Sequence, residues 1–138
     1  MERNLKEALK HRRSYYALDS QSPISDEQIE EIIRFAVAHT PSAFNSQSTR
    51  LVLLLGEHHR KLWKLVKETL KKIISEAAYE ATEAKVDKSF LAGYGTVLFY
   101  EDQTIVESLQ KAFPLYQDKF PEWSEHCLLY TSPSPRDA

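Results

Sequence analysis

Two short segments carry the apolar pattern of β-strands, and one long helical pattern separates them. Residues 51–55 form the continuous run L-V-L-L-L before Gly56, and residues 96–100 form the second segment. Such runs are typical of strands buried on both faces of a sheet. The order strand, helix, strand favours parallel pairing through a right-handed crossover. Because two strands alone make a poor sheet, we expect further strands from outside this chain or from a partner chain.

Helix-capping signals define the first half of the chain. Residues 4–11 predict a short helix, with leucine and alanine side chains on one face. Ser25 and Gln28 have the spacing of a capping box, which predicts the start of a second helix. Pro41 disfavours helical geometry at the preceding residue, so this helix should end near His39.

The second half predicts two more helices. Residues 58–84 have the periodicity of one long amphipathic helix, rich in lysine at first and then in glutamate. We expect a loop or frayed turn over residues 88–94. Thr104 and Glu107 repeat the capping-box spacing at the start of the last helix. Beyond that helix, Pro114 and Pro121 interrupt any regular structure.

Composition narrows the class of protein. The 138 residues fit one domain, and the formal net charge of -2 does not suggest a nucleic-acid partner. The single cysteine, Cys127, excludes an internal disulfide and a cysteine-based metal cluster. No apolar run approaches the roughly 20 residues that span a bilayer, and the N-terminus lacks an apolar signal core. We therefore expect a cytoplasmic protein that does not contact a membrane.

Several common chemistries lack their motifs. With three glycines, the chain has neither a dinucleotide fingerprint nor a P-loop. His58 and His59 follow Glu57 directly, and adjacent helical residues point about 100 degrees apart, so we expect no metal site. No G-x-S-x-G elbow is present. We predict no catalytic nucleophile, acid or base.

Two segments remain as candidate binding sites. Arg12, Arg13 and Ser14 end a segment whose first 13 residues include five basic and two acidic side chains. Guanidinium groups and a nearby hydroxyl suit a phosphate, although paired arginines also solvate helix ends. In residues 41–47, the amides of Asn45 and Gln47 suit the edge of a heteroaromatic ring, although such residues also serve ordinary turns.

Four segments stand in a characteristic order along the chain: R-R-S-Y-Y at 12–16, P-I-S-D-E-Q-I at 23–29, A-H-T-P-S-A-F-N-S-Q at 38–47 and F-L-A-G-Y-G-T-V-L-F at 90–99. In this order they resemble the nitroreductase family of FMN-dependent oxidoreductases. The resemblance covers about residues 3–126 and is nearest to the small, compact members. Many relatives have Pro-Trp where Ser48 and Thr49 stand here.

The resemblance implies an α+β fold, with a central sheet wrapped by helices that is incomplete in this chain. It also implies an obligate homodimer that exchanges chain ends and binds FMN at its interface. Arg12 would contact the FMN phosphate or ribityl chain, with Arg13 and Ser14 alongside. Ser42, Asn45 and Gln47 would face the flavin ring, from this subunit or its partner.

The implied activity is transfer of electrons from NAD(P)H, as co-substrate, through FMN to a nitroaromatic, a quinone or a similar small-molecule acceptor. Residues 1–126 correspond to the N-terminal portion of the family domain, and the Pro/Ser-rich residues 127–138 look like a non-native or disordered tail. Two alternatives remain. The chain is a truncated, non-catalytic fragment, or it is a helical interaction module whose lysine-rich helix binds an acidic partner.

Overall fold

The computed structural model describes residues 4–118. This part of the chain combines α-helices with one pair of strands, so the predicted α+β class is confirmed. The predicted tail at residues 127–138, the interruption at Pro121 and the end of the predicted domain at residue 126 lie outside the described residues. The elements are α1 (Leu5–His11), α2 (Asp26–His39), β1 (Thr49–Leu55), α3 (Gly56–Ile73), α4 (Glu76–Lys85), a π-helix (Val86–Leu91), β2 (Gly95–Glu101) and α5 (Gln103–Ala112), with 3₁₀ turns at Ala43–Asn45 and Pro114–Tyr116.

Capping boxes start both α1 and α2. The Asn4 carboxamide oxygen accepts the Glu7 backbone N–H at 3.0 Å, and the Glu7 carboxylate accepts the Asn4 N–H at 3.4 Å. The predicted box at Ser25 is also formed: Gln28 N–H donates to Ser25 Oγ at 3.3 Å, and Ser25 N–H donates to Gln28 Oε1 at 3.0 Å. Because these contacts join residues three apart, the local sequence is enough to specify them.

The prediction of one long helix over residues 58–84 is wrong. Ile74 and Ser75 adopt extended backbone angles, with ψ of 160° and 155°, and they separate α3 from α4. The β-branched Ile73–Ile74 pair lowers helix propensity, and serine favours the N-cap position. A π-helix also covers residues 88–91 of the loop or frayed turn expected over residues 88–94, and residues 92–94 form a turn and a bend as expected. At α5 the capping residue is Asp102, which accepts the Thr104 N–H at 3.1 Å, instead of Thr104 itself.

The helix break lets α4 fold back along α3. Lys67 Nζ on α3 lies 3.6 Å from the Glu83 carboxylate on α4 and 2.8 Å from Asp87 in the π-helix. Further along α3, Lys71 Nζ lies 5.7 Å from the centre of the Tyr79 ring. Later residues of α3 therefore meet earlier residues of α4, so the two helices are antiparallel.

This helical hairpin explains why the predicted parallel pairing is wrong. The start of β1 lies beside the end of β2, because Asp102 N–H donates to Ser48 O at 2.9 Å. The end of β1 lies beside the start of β2, because a Cβ on Gly95 would be 2.9 Å from Leu54 O. The strands are therefore antiparallel. A single helix after β1 would return the chain to the start of β1, and β2 would then run parallel to β1. The helical hairpin instead brings the chain back to the end of β1, so β2 runs antiparallel to it.

The apolar sequences of the strands predict burial on both faces, and this prediction is wrong. Val52 is 41% exposed, and Phe99 and Tyr100 are 58% and 52% exposed. Within residues 4–118, the buried hydrophobic side chains are those of Val86 and Val106, which are 4% and 2% exposed. The described residues therefore leave most of their apolar faces without a cover.

The chain divides into two compact units. Among the described residues, the first unit contains residues 4–15, 40–49 and 101–118, and the second contains residues 16–39 and 50–100. The two segments with predicted binding residues, 12–14 and 42–47, both belong to the first unit.

Candidate functional site

The two arginines at the end of α1 have different surroundings. The Arg13 guanidinium donates through Nη1 to the carbonyl oxygens of Lys10 and Arg12, at 2.9 Å and 2.7 Å. These contacts satisfy carbonyl groups that the end of a helix leaves without partners. Arg12 is half-buried, and its backbone N–H closes the helix on Ala8 O at 3.0 Å. Arg13 therefore caps α1, and Ser14 next to it is exposed.

The loop over residues 41–47 has an unusual backbone. Phe44, Asn45 and Gln47 all lie in the left-handed region, with φ values of 53°, 53° and 51°. Such angles are uncommon for residues other than glycine and typically cost about 1–3 kcal/mol at residues such as Phe44 and Gln47, whereas asparagine tolerates them better. Strained residues of this kind concentrate at binding sites, where surrounding contacts hold them in place. The loop is therefore a candidate site on geometric grounds.

Hydrogen bonds within the loop connect three of the predicted site residues. Ser42 O accepts the Asn45 N–H at 3.0 Å, and Ser42 Oγ accepts the Gln47 N–H at 3.0 Å. The Gln47 side-chain amide donates to Asn45 Oδ1 at 3.4 Å. Asn45 and Gln47 are both exposed. The carboxamides of Asn45 and Gln47 thus lie side by side at the surface. Ser42 accepts the backbone N–H groups of both residues.

Two contacts fasten the loop to the rest of the first unit. The rings of Phe44 and Phe113 lie 5.2 Å apart. Ser48 is 1% exposed, and its hydroxyl is hydrogen-bonded to the Glu101 carboxylate and, at 3.1 Å, to the hydroxyl of Ser46. The sequence patterns do not single out Glu101, since its only signal there is an acidic residue directly after an apolar strand.

All six predicted binding residues belong to the first unit. Residues 12–14 and residues 42–47 come from separate parts of the sequence, and the fold gathers both segments into this unit. Residues 12–14 offer guanidinium and hydroxyl groups, which suit an anionic ligand, and residues 42–47 offer carboxamide groups, which suit the edge of a polar ring.

The second unit contains a separate cavity of about 900 Å³. Its lining includes Leu18, Leu55, Asp26, His59 and Tyr94, and none of the six predicted residues contributes to it. Tyr94 OH donates to Asp26 Oδ1 at 2.5 Å. This hydrogen bond, together with burial, raises the pKa of Tyr94. The cavity wall therefore has a fixed phenol–carboxylate pair beside apolar side chains.

A buried histidine lies at the edge of the same cavity. His59 is 2% exposed, and its Nε2 lies 3.2 Å from the carbonyl oxygen of Leu91. Because a carbonyl oxygen only accepts, we assign the ring proton to Nε2. Nδ1 then accepts the hydroxyl proton of Thr96 at 2.9 Å, and Thr96 Oγ1 in turn accepts the Trp63 indole N–H at 3.0 Å. The Thr96 hydroxyl therefore donates to His59 and accepts from Trp63.

Several lysines of α3 have partners within the chain. The side chain of Lys67 is 21% exposed and lies between Asp87 and Glu83. The hydrogen bond to Asp87, with the charges of Asp87 and Glu83, outweighs burial and raises the pKa of Lys67. Lys64 lies 4.0 Å from Glu68. The contacts of Lys67 join α3 to α4 and the π-helix, and the Lys64–Glu68 pair lies on α3 itself. The positive charge of the lysine-rich face is therefore partly neutralised by carboxylates of the same chain.

The part of the chain that the structure describes contains neither a metal-binding cluster nor a membrane-spanning helix. Between residues 4 and 118, no three histidine, cysteine, aspartate or glutamate side chains are grouped so that they could hold a metal ion. Over the same range, no helix is long and apolar enough to cross a membrane.

Comparison with known proteins identifies the class. The Nitroreductase family matches residues 9–126, so the chain belongs to the nitroreductase family. Among solved structures, it is similar to nitroreductase CinD from Lactococcus lactis in complex with chloramphenicol, with a TM-score of 0.75 and 43% identity over 90% of this chain and 61% of that one. A nitroreductase from Saccharomyces cerevisiae gives a TM-score of 0.72 and 27% identity over 88% of this chain and 66% of that one.

Two yeast proteins extend the comparison. HBN1 of Saccharomyces cerevisiae, a provisional nitroreductase, is 36% identical over 83% of this chain and 57% of its own length. Nitroreductase FRM2 of the same yeast is 29% identical over 89% of this chain and 61% of its own length. The chain therefore spans about three fifths of the length of these relatives. The family resemblance of the sequence and the α+β nitroreductase fold are confirmed, and the family supports an oxidoreductase.

Proposed function

We propose that this chain contributes the cofactor-binding loop of an FMN-dependent nitroreductase. The observation that carries the proposal is the strained loop, in which Ser42 holds the exposed carboxamides of Asn45 and Gln47 together. Membership of the nitroreductase family makes a flavin the natural ligand for such a loop. The proposed reaction is electron transfer from NAD(P)H through FMN to a nitroaromatic, a quinone or a similar acceptor.

The side chains of the first unit have the chemistry that FMN requires. Arg12, with Arg13 and Ser14 alongside, would bind the phosphate or ribityl chain, because guanidinium and hydroxyl groups suit phosphate oxygens. Asn45 and Gln47 would donate to and accept from the polar edge of the ring.

The redox chemistry would be supplied by the flavin when it is bound. The residues of this chain would bind the cofactor, orient its ring and stabilise negative charge on it through hydrogen-bond donors. This division of work accounts for a site without a nucleophile, an acid or a base among its predicted residues.

The acceptor class follows from the relatives. CinD from Lactococcus lactis has been solved in complex with chloramphenicol and with 4-nitrophenol. The 43% and 41% identity of those chains to this one supports small nitroaromatic compounds as acceptors here. We propose a cytoplasmic homodimer as the working form, because the family resemblance implies FMN binding between two subunits.

A non-catalytic fragment is the main alternative, and one observation favours it. Leu5 on α1 is 76% exposed, and Phe35 on α2 is 65% exposed. Large exposed apolar surfaces mark places where another chain or segment packs. If that cover is needed for FMN binding, the chain alone would bind flavin weakly. The interaction-module alternative is less favoured, since Lys67 and Lys64 already pair with carboxylates of their own chain.

A titration of FMN with the purified chain tests the proposal. We expect saturable quenching of flavin fluorescence near one FMN per chain. Replacing Arg12 and Asn45 together with alanine should weaken FMN binding at least about tenfold, because charge-assisted hydrogen bonds are lost. The double variant Arg34→Ala and Gln103→Ala, at exposed positions outside the two binding segments, is the matched control.

The outcomes separate the alternatives. Equal affinity of the double variant and the wild type would overturn the site assignment. No quenching by a chain with a folded circular dichroism spectrum would favour the fragment. Strongly salt-dependent binding of an acidic polypeptide, unaffected by FMN, would favour the interaction module.

A further inference from the structure

The loop of the first unit needs an anchor outside itself. Phe44, Asn45 and Gln47 all have φ near +50°, which the loop cannot maintain without compensating contacts. At its start, Ser42 accepts two backbone N–H groups of the loop. At its end, the chain leaves the strained conformation at Ser48, so the contacts of Ser48 hold this end of the loop, while the Phe44–Phe113 ring contact holds its middle.

Ser48 is held by hydrogen bonds to three residues. It is 1% exposed, and its carbonyl oxygen accepts the Asp102 N–H at 2.9 Å. Its hydroxyl is hydrogen-bonded to Ser46 at 3.1 Å and to Glu101 Oε1. The contact with Glu101 joins residues 53 apart in sequence. It connects the end of the loop to the end of β2.

Glu101 occupies an unusual position for a carboxylate. Its Oε2 atom is buried and, within residues 4–118, has no hydrogen-bond partner. Burying an acceptor without a donor is costly, and native proteins keep such groups rarely. Stability alone therefore does not explain a glutamate here, since a neutral side chain with one oxygen could also accept the Ser48 hydroxyl.

We propose that Glu101 is a positioning residue for the cofactor loop. Through Ser48 it holds the backbone of residues 45–47, and hence the carboxamides of Asn45 and Gln47, in the geometry that binds the flavin ring. The part that concerns flavin rests on the proposed function, whereas the part that concerns the loop does not.

Three variants test this role in the whole chain. Glu101→Ala removes the acceptor for Ser48, and Glu101→Gln keeps an acceptor oxygen while removing the charge. Ser48→Ala removes the donor from the same contact. Glu107→Ala, at an exposed position on α5, is the matched control.

The first readout needs no cofactor. The Gln47 backbone N–H is hydrogen-bonded to Ser42 Oγ, so its hydrogen exchange reports on the loop. We expect exchange to be at least about tenfold faster in Glu101→Ala and Ser48→Ala, because a buried hydrogen bond is lost. Glu101→Gln should stay within about threefold of the wild type, and Glu107→Ala should be unchanged.

The second readout is the dissociation constant of FMN. It should rise at least about tenfold in Glu101→Ala and be restored by Glu101→Gln. Unchanged Gln47 exchange in both Glu101→Ala and Ser48→Ala overturns the proposal, and so does a Glu101→Gln variant as impaired as Glu101→Ala. If Glu101→Ala does not fold, Ser48→Ala and Glu101→Gln decide the same question.

The two proposals fail in different ways. A wild-type chain that binds no FMN, combined with fast Gln47 exchange in Glu101→Ala, refutes the flavin function and supports the anchor. A wild-type chain that binds FMN as tightly as Glu101→Ala, with equal Gln47 exchange, refutes the anchor and supports the function.

Discussion

The hydroxyl of Thr96 offers a sharp test of the second unit. Its oxygen accepts the Trp63 indole N–H at 3.0 Å and lies 2.9 Å from His59 Nδ1. Thr96→Val keeps the size and β-branching of the side chain and removes this oxygen alone. The variant leaves a donor on Trp63 and an acceptor on His59 without their partner.

The expected cost follows from burial. His59 is 2% exposed, so its Nδ1 should lose about 1–3 kcal/mol when its donor is removed. Trp63 is half-buried and recovers part of its loss from water. The total is about 2–4 kcal/mol, which is a large part of the stability of a typical domain.

Urea denaturation followed by circular dichroism measures this difference. The matched control is Thr69→Val, because Thr69 on the exposed side of α3 donates its hydroxyl to Leu65 O at 2.9 Å. The control should change the free energy of unfolding by no more than about 0.5 kcal/mol. If Thr96→Val is no more destabilising than Thr69→Val, the assigned network is incorrect.

Three further predictions concern other elements. Gly95→Ala places a Cβ 2.5 Å from Leu55 Cδ2 and 2.9 Å from Leu54 O, so we expect a loss of about 1–3 kcal/mol in thermal unfolding. Ser25→Ala removes the cap of α2 and should cost about 0.5–2 kcal/mol, with less helical circular dichroism near the melting temperature. The raised pKa of Lys67 implies stabilisation that is complete below about pH 10 and is lost as the pH rises through the pKa of the folded state. Wild type should therefore lose more stability than Lys67→Met between about pH 8 and pH 11, and parallel losses would contradict this ion pair.

Local patterns predicted the features that depend on nearby residues. The capping box of α2 joins Ser25 to Gln28, and the helix ends at His39 as expected from Pro41. The break between α3 and α4 was missed because periodicity continues through it. Its effect is seen in contacts between residues that are distant in sequence, such as that of Lys67 with Asp87, 20 residues away. The antiparallel strand pairing follows from that hairpin and was missed for the same reason.

The candidate site likewise contains residues that a local motif predicts and one residue that it does not. Asn45 and Gln47 are recognisable from a short motif, and the structure adds that Ser42 connects them. Glu101 lies 53 residues from Ser48, and no local pattern predicts that they meet. The residues that we propose to contact the flavin could therefore be named from sequence, whereas the residue that we propose holds them in place could not.

The apolar stripes of the helices carry information beyond the described residues. The sequence predicts a buried face on α1 and α2, yet Leu9 is 57% exposed and Ile32 is 59% exposed. A stripe at helical spacing favours a packing partner, and residues 4–118 do not supply one here. The relatives are longer, since the chain spans 57% of HBN1 and 61% of FRM2. We therefore expect the covering surface to come from residues that those longer relatives have in addition, or from a second subunit.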